Sequence, residues 1–233
     1  MCQPFGFEPI PGADPNCLRC GGDGIVDNRD VLVFDQSYAE QCDCVQVGPT
    51  ADEARYSDAD EDGWLDGVAR VPARYAGAQG ALKGVDEIVL HDVGKGRHGA
   101  IPRYFATMAD GRVASAHFVV HVPGWSRLLT QCVPLTRPAW HCPGVNFTSV
   151  GIEHDEPDAE EPHWPEETMA TSFALVDSLL VIFPGIKRIV AHKARSPRSR
   201  VDPRHWPWDE WRQRYIPQGV AVASTPAELA TIV

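Results

Sequence analysis

The sequence contains no apolar run long enough to span a membrane. Its first residues have no basic stretch followed by an apolar segment, so we expect no signal peptide there. Positive charge is also scarce, since 21 lysines and arginines stand against 32 aspartates and glutamates, for a net charge of −11. Such a chain repels phosphate backbones, which argues against nucleic acids as partners but leaves neutral or mixed-charge polymers open.

The composition changes along the chain. The first part is rich in Cys, Asp, Gly and Pro, whereas the second alternates predicted strands with predicted helices. A total of 233 residues with 43% hydrophobic residues is enough for one enzyme domain and an appendage. We therefore predict a Cys- and Asp-rich N-terminal segment over residues 1–75 and an enzyme domain over residues 76–233.

The seven cysteines allow more than one chemistry. The pairs Cys17-x-x-Cys20 and Cys42-x-Cys44 suit either a four-thiolate zinc site or two disulfides, and their acidic, loop-like surroundings favour disulfides. Cys132 and Cys142 flank a predicted turn. They are either a disulfide or two buried free thiols, because spacing alone does not fix the geometry that a disulfide requires.

An acidic loop follows in the N-terminal segment. Its aspartates occupy positions one, three, five and nine of a calcium loop: Asp58, Asp60, Asp62 and Asp66. Position twelve is Ala69, where an EF-hand needs a bidentate Glu, so the pattern is degenerate. Bound Ca²⁺ and a plain Asp-Gly turn on an acidic surface both remain open.

Hydrophobic periodicity predicts the remaining architecture. The clearest helix covers residues 166–183, where apolar residues recur at spacings of three and four: Met169, Phe173, Val176, Leu180 and Phe183. Other helices are predicted over residues 99–108 and from Trp208 onward. Strands are predicted over residues 86–91, 116–122, 127–133, 149–153 and 186–191. This order predicts an α/β fold with a central mixed β-sheet flanked by helices.

Two histidines stand at the ends of apolar strands. His91 and His192 each end such a strand, and Asp202 follows His192 by ten residues. Side chains at strand ends face the crevice where sites form. Two imidazoles and one carboxylate leave a fourth tetrahedral position open, which is typical of catalytic rather than structural zinc. We therefore predict a catalytic zinc site.

Six short motifs support this prediction. They are Ile88-Val89-Leu90-His91-Asp92, Ser115-Ala116-His117-Phe118-Val119, Ala139-Trp140-His141, Asn146 with Ser149-Val150-Gly151-Ile152-Glu153, Ala191-His192, and Arg200-Val201-Asp202-Pro203. Their order and spacing resemble those of the type-2 N-acetylmuramoyl-L-alanine amidases, the superfamily of phage lysozyme-amidases and peptidoglycan recognition proteins. The resemblance covers residues 71–215.

The resemblance implies roles for individual residues. The zinc ligands would be His91, His192 and Asp202, and Glu153 would be the general base. Arg200 stands where the family commonly has Lys, and it would stabilise the oxyanion.

The resemblance also places Trp140, His141 and Asn146 along the substrate groove. For Trp140 and His141, the alternative is a packed aromatic side chain beside a hydrogen-bonded imidazole. His117 is expected to be structural, and Asp92 either supports its neighbour His91 or is solvated.

The implied substrate is bacterial peptidoglycan or its muropeptides, cut between N-acetylmuramic acid and L-alanine. We expect a monomer that acts outside the cytoplasm, whether secreted, periplasmic or released by a phage. The alternative is a non-catalytic peptidoglycan-binding module. The presence of all three implied zinc ligands argues against this alternative. A calcium-dependent interaction protein is a third hypothesis that depends on the acidic loop alone.

Overall fold

A computed structural model describes residues 25–27, 39–41, 56, 58–94, 100–108, 112–123, 128–155 and 163–232. The cysteine pairs predicted near the N-terminus lie outside these residues. Two short strands, β1 (Ile25–Asp27) and β2 (Ala39–Gln41), pair with each other in antiparallel fashion.

Seven strands form the main sheet: β3 (Ala69–Arg70), β4 (Glu87–Asp92), β5 (Phe118–Val120), β6 (Leu129–Gln131), β7 (Ser149–His154), β8 (Arg188–Ala191) and β9 (Ala221–Ala223). Their order across the sheet is β3-β6-β5-β7-β4-β8-β9. Only the β5–β6 pair is antiparallel, so the sheet is mixed, as the sequence predicts. The central strand β4 carries Ile88, Val89 and Leu90, all fully buried, because both faces of the sheet are covered.

The helices are α1 (Ala100–Thr107), α2 (Glu166–Ile182), α3 (His192–Arg195), α4 (Trp208–Tyr215) and α5 (Pro226–Thr231). A 3-10 turn, Ile216–Gln218, follows α4. Among the described residues, no helix is both long and apolar enough to cross a bilayer.

The long helix α2 agrees with its predicted bounds to within one residue, but its buried face differs from the predicted one. Met169 and Val176 are buried as expected, whereas Phe173 and Leu180 are only partly buried. Thr168 and Ser172 are fully buried instead. These buried hydroxyls have hydrogen-bond partners in the interior. The Thr168 hydroxyl donates to the carbonyl of His121 (3.0 Å), and Ser172 Oγ lies 2.8 Å from His154 Nε2.

The segment before residue 76 contributes to the same sheet. Strand β3 pairs in parallel with β6, and Leu65 and Val68 belong to the largest hydrophobic core. The Leu65 amide also donates to the buried Gln131 side chain (2.8 Å). The domain limits stay a prediction, but residues 65–70 pack with the sheet rather than apart from it.

Cys132 and Cys142 are both buried free thiols. Of the two interpretations left open for this pair, the structure therefore has the free thiols and not the disulfide. Burial raises the pKa of Cys142 to about 11, so this thiol stays protonated at neutral pH.

Candidate metal centre

The parallel register of three central strands brings the predicted residues to one edge of the sheet. His91 on β4 is aligned with Glu153 on β7. Leu90 is aligned with Ala191 on β8, so the next residues along the chain, His91 and His192, are also neighbours. Because parallel strands end at the same edge, residues far apart in sequence meet there. His192 begins α3 at the end of β8.

Asp202 reaches these histidines from the loop that follows α3. Its backbone carbonyl accepts a hydrogen bond from the amide of Lys193 (2.8 Å), which ties the loop to the start of α3. Its Oδ2 atom lies 2.9 Å from His192 Nδ1 and 3.5 Å from His91 Nδ1. The two Nδ1 atoms are 2.8 Å apart.

This trio fits a metal ion. The three donor atoms lie within 4.8 Å of one another, and no other such group of His, Cys, Asp and Glu occurs in the described part of the chain. A tetrahedral zinc with bonds of about 2.0–2.1 Å needs donor atoms about 3.3 Å apart, close to the distances found. His91 and His192 are buried, and the buried Nε2 atom of His192 has no hydrogen-bond partner among the described residues.

The ionisation of the donor set also suits a cation. Burial lowers the pKa of His91 to about 4, so its imidazole is neutral at physiological pH. Burial alone would raise the pKa of Asp202, but its contacts with His192 and His91 outweigh this effect and hold the pKa below its usual range. Neutral imidazoles and an ionised carboxylate are the forms that bind metals.

Glu153 is the titratable group beside this trio. Its Oε2 atom is buried and has no hydrogen-bond partner among the described residues. Burial raises the pKa of this carboxyl well above its usual range, and the negative charges of Asp202 and Asp92 raise it further. Arg200, an exposed residue of the same loop as Asp202, lowers it. A buried carboxyl with a raised pKa beside such a donor set is a candidate for proton transfer to and from a substrate.

The N-acetylmuramoyl-L-alanine amidase family matches residues 81–205, which is more than half of the sequence. The chain belongs to this family. A search of curated protein sequences finds no match. The matched residues include all three members of the trio, His91, His192 and Asp202.

The amidase-family fold is also similar to solved structures. One is a selenomethionine AmpD derivative, with a TM-score of 0.57 and 22% identity over 66% of this chain and 97% of that one. Another is the endolysin N-acetylmuramoyl-L-alanine amidase LysCS from Clostridium intestinale URNW, with a TM-score of 0.51 and 17% identity over 66% of this chain and 98% of that one. At these identities the likeness establishes the fold.

The three residues predicted to line a groove in this amidase-family domain lie in different settings. Trp140 is half-buried, and its ring meets that of the exposed Phe147 edge to face, with 5.8 Å between centroids. His141 is buried, and its Nδ1 atom lies 3.1 Å from Nε2 of His91. Asn146 accepts hydrogen bonds from the amides of His141 (3.1 Å) and Cys142 (2.8 Å). His141 therefore matches the hydrogen-bonded imidazole alternative.

An ion pair that the sequence did not reveal joins the Asp202 loop to β4. The Arg204 amide donates to Asp92 Oδ2 (2.6 Å), and its guanidinium donates to Asp92 Oδ1 (2.7 Å). The Asp92 side chain is fully buried, so it is not solvated, and it pairs with the loop that carries Asp202. Arg204 stands two residues after Asp202, and this closeness in sequence was the only indication that Arg204 would lie near the metal centre.

His117, expected to be structural, is fully buried and hydrogen-bonded at both ring nitrogens. Its Nδ1 accepts from the Gly151 amide (3.0 Å), and its Nε2 lies 3.1 Å from the Arg137 carbonyl. Each of these partners is a backbone group, so the ring ties β7 to the loop after β6.

The acidic loop gives the calcium prediction no support. Asp60 Oδ1 accepts hydrogen bonds from the amides of Asp62 (3.1 Å) and Trp64 (2.8 Å). Asp60 Oδ2 and Asp66 Oδ1 lie 3.1 and 3.9 Å from the guanidinium of Arg70. Asp58, the first of the four aspartates, is exposed. The carboxylates thus organise a turn and pair with an arginine.

Proposed function

We propose that this chain hydrolyses the amide bond between N-acetylmuramic acid and the L-alanine of the stem peptide in bacterial peptidoglycan, with a zinc ion held by His91, His192 and Asp202. One observation supports the proposal above the others. Three buried or nearly buried donor atoms converge at the sheet edge of a domain that belongs to the N-acetylmuramoyl-L-alanine amidase family. Calcium has no role in this proposal.

Zinc in such a donor set polarises a carbonyl group and lowers the pKa of water, which supplies a nucleophile at neutral pH. Glu153 is aligned with His91 across two neighbouring strands, so its carboxylate faces the same edge. With Oε2 free of other partners among the described residues, it accepts the proton of the attacking water and passes it to the leaving amine. Glu153 is thus the general base and then the general acid.

Arg200 supplies the positive charge of the site. It is exposed on the loop that carries Asp202, and its charge acts on both Glu153 and His91. It stabilises the negative oxygen of the tetrahedral intermediate, the role that the family commonly gives to Lys. Because a guanidinium does not deprotonate at working pH, this charge is permanent.

The aromatic pair of Trp140 and Phe147 offers an apolar wall for the substrate. Phe147 is 51% exposed and Trp140 is half-buried, so a sugar ring or an apolar stem-peptide side chain can pack against them. Because the substrate is cell-wall peptidoglycan, the enzyme acts outside the cytoplasm. Hydrolysis is favoured over binding alone because the donor set and the neighbouring carboxyl are both complete.

The zinc-loaded full chain, incubated with purified sacculi and with a defined muropeptide, tests this function. Mass spectrometry should detect free stem peptides that begin at L-alanine, together with glycans whose N-acetylmuramic acid residues carry free lactyl carboxylates. A chelator should stop their release, and added zinc should restore it. Intact substrates in the presence of stoichiometric zinc would overturn the proposal, and co-sedimentation with sacculi would then identify a binding module.

A further inference from the structure

A hydrogen-bonded row of three side chains leads from the protein interior to the metal centre. Ser149 Oγ lies 2.7 Å from the carbonyl oxygen of Val145 and 3.1 Å from Nε2 of His141. On the other side of that ring, Nδ1 of His141 lies 3.1 Å from Nε2 of His91. All three side chains are buried, so water cannot readily replace a lost hydrogen bond, and breaking one of these contacts costs free energy.

The direction of these hydrogen bonds follows from the end of the row. A carbonyl oxygen only accepts, so the Ser149 hydroxyl donates its single proton to Val145. Its oxygen then accepts from His141 Nε2. A neutral imidazole has one donor and one acceptor nitrogen, which makes His141 Nδ1 an acceptor and His91 Nε2 a donor. The lone pair of His91 is then left on Nδ1, the atom that faces His192 and Asp202.

Gly151 provides the space in which the ring of His141 lies. A Cβ atom at Gly151 would fall 2.7 Å from Nδ1 and 2.8 Å from Cδ2 of His141, and closer still to Cγ. Side chains do not approach so closely, so glycine is required for the ring to pack against β7. The backbone amide of His141 is fixed independently by Asn146 (3.1 Å). The ring of His141 is thus positioned by packing on Gly151, and its backbone by Asn146.

We propose that Ser149 and His141 are positioning residues that set the tautomer of His91, so that its unprotonated Nδ1 faces the metal. The outer hydrogen bond of a metal-bound histidine selects the nitrogen that coordinates, and losing such a partner typically weakens metal binding 10- to 100-fold. Here that outer partner is another histidine, whose own tautomer is set by a serine. The identity of the metal rests on the proposed function, whereas the tautomer of His91 does not.

The decisive measurement is the ring-nitrogen spectrum of the ¹³C,¹⁵N-labelled full chain without metal, assigned through correlations of each ring to its own backbone and checked with His91→Gln and His141→Gln variants. In the wild type, His91 and His141 should each carry their proton on Nε2. A wild-type His91 with its proton on Nδ1 would overturn the proposal, even if no variant folds.

Zinc affinity, measured by competition with a chromophoric chelator, provides the second readout. Ser149→Ala should raise the Kd 10- to 100-fold and leave His91 as a mixture of tautomers, whereas Ser149→Thr, which keeps the hydroxyl, should restore both. Gly151→Ala should act like Ser149→Ala, because it displaces the ring of His141. Ser178→Ala is the matched control, since it removes a buried hydroxyl that donates to a carbonyl (Ala174, 2.9 Å) on helix α2.

A Ser149→Ala variant with wild-type zinc affinity and a single His91 tautomer would overturn the proposal. Failure of the proposed function appears differently. In that case the tautomers and the zinc affinities follow expectation, but no muropeptide is cut.

Discussion

The Nδ1 atoms of His91 and His192 lie 2.8 Å apart although 101 positions separate the two residues in sequence. The approach exists because β4 and β8 are paired in parallel, with Leu90 aligned to Ala191. Two buried imidazole rings gain little from meeting in this way. A shared cation that also binds Asp202 gives the arrangement a physical reason.

Removing one member of this trio should therefore remove the metal. His192→Ala and Asp202→Ala leave two protein donors, and we expect each variant to be purified with less than about a tenth of the zinc that the wild type holds. The measurement is zinc content by elemental analysis together with amide-hydrolysis rate. His163→Ala, which changes an exposed histidine, is the control. Full zinc occupancy in His192→Ala would exclude it as a ligand.

Glu153→Gln should separate metal binding from catalysis. The substitution keeps the shape of the side chain but removes its ability to exchange a proton, so zinc content should stay unchanged. The rate should fall by about 10²- to 10⁴-fold, the usual contribution of general acid–base catalysis. Glu166→Gln, on the exposed first turn of α2, is the matched control and should be as active as the wild type. A Glu153→Gln variant of near-normal rate would eliminate the general-base role.

Arg200 should act through its charge. Arg200→Ala removes the positive group that stabilises the developing oxyanion, and kcat should fall about 10²-fold with little change in KM. Arg200→Lys keeps the charge in the form that the family commonly has and should retain most of the rate. Arg198→Ala changes an exposed arginine of the same loop and controls for net charge. An unchanged kcat in Arg200→Ala would show that the charge acts elsewhere.

The ion pair between Asp92 and Arg204 should hold the Asp202 loop in place. Arg204→Ala leaves the buried Asp92 carboxylate without its guanidinium partner, although backbone amides of Gly94 and residue 204 still donate to it. Since the Arg204 side chain is 41% exposed, we expect a loss of at most about 1 kcal/mol in unfolding free energy. Zinc affinity should fall about 10-fold, because the loop that carries a ligand is released. Equal zinc affinity in both proteins would contradict this role.

The strand ends and their histidines could be predicted because short apolar runs bounded by polar residues are typical of buried strands. Strands β4 and β8 each contain three consecutive apolar residues followed directly by a histidine, His91 or His192, and this combination marks the strand ends. Strands β3 and β9 were not predictable, because two or three residues carry no pattern of their own and depend on pairing with β6 and β8. Sequence periodicity likewise misplaced part of the buried face of α2.

The surroundings of the metal centre were less visible in the sequence. The position of His141 behind His91 depends on the space over Gly151, and spacing along the chain does not encode that contact. The pair of Asp92 and Arg204 bridges 112 positions and appears only when the loop folds back on β4. Motif order thus indicated which residues meet, whereas their tautomers and supports required three-dimensional contacts.

The buried neutral His117 should make the protein less stable in acid. Burial lowers its pKa from 6.5 to about 4, so below pH 6.5 the unfolded chain binds a proton that the folded chain does not. The stability that a neutral His117 contributes is therefore fully present above pH 6.5 and is lost as the pH falls towards 4. This loss is about 2 kcal/mol between pH 7 and pH 5.

His117→Asn keeps an acceptor for the Gly151 amide but does not titrate. In urea unfolding at both pH values, this variant should lose about 2 kcal/mol less than the wild type. His205→Asn, at an exposed position, should behave like the wild type. Equal losses in all three proteins would show that His117 is not the residue responsible.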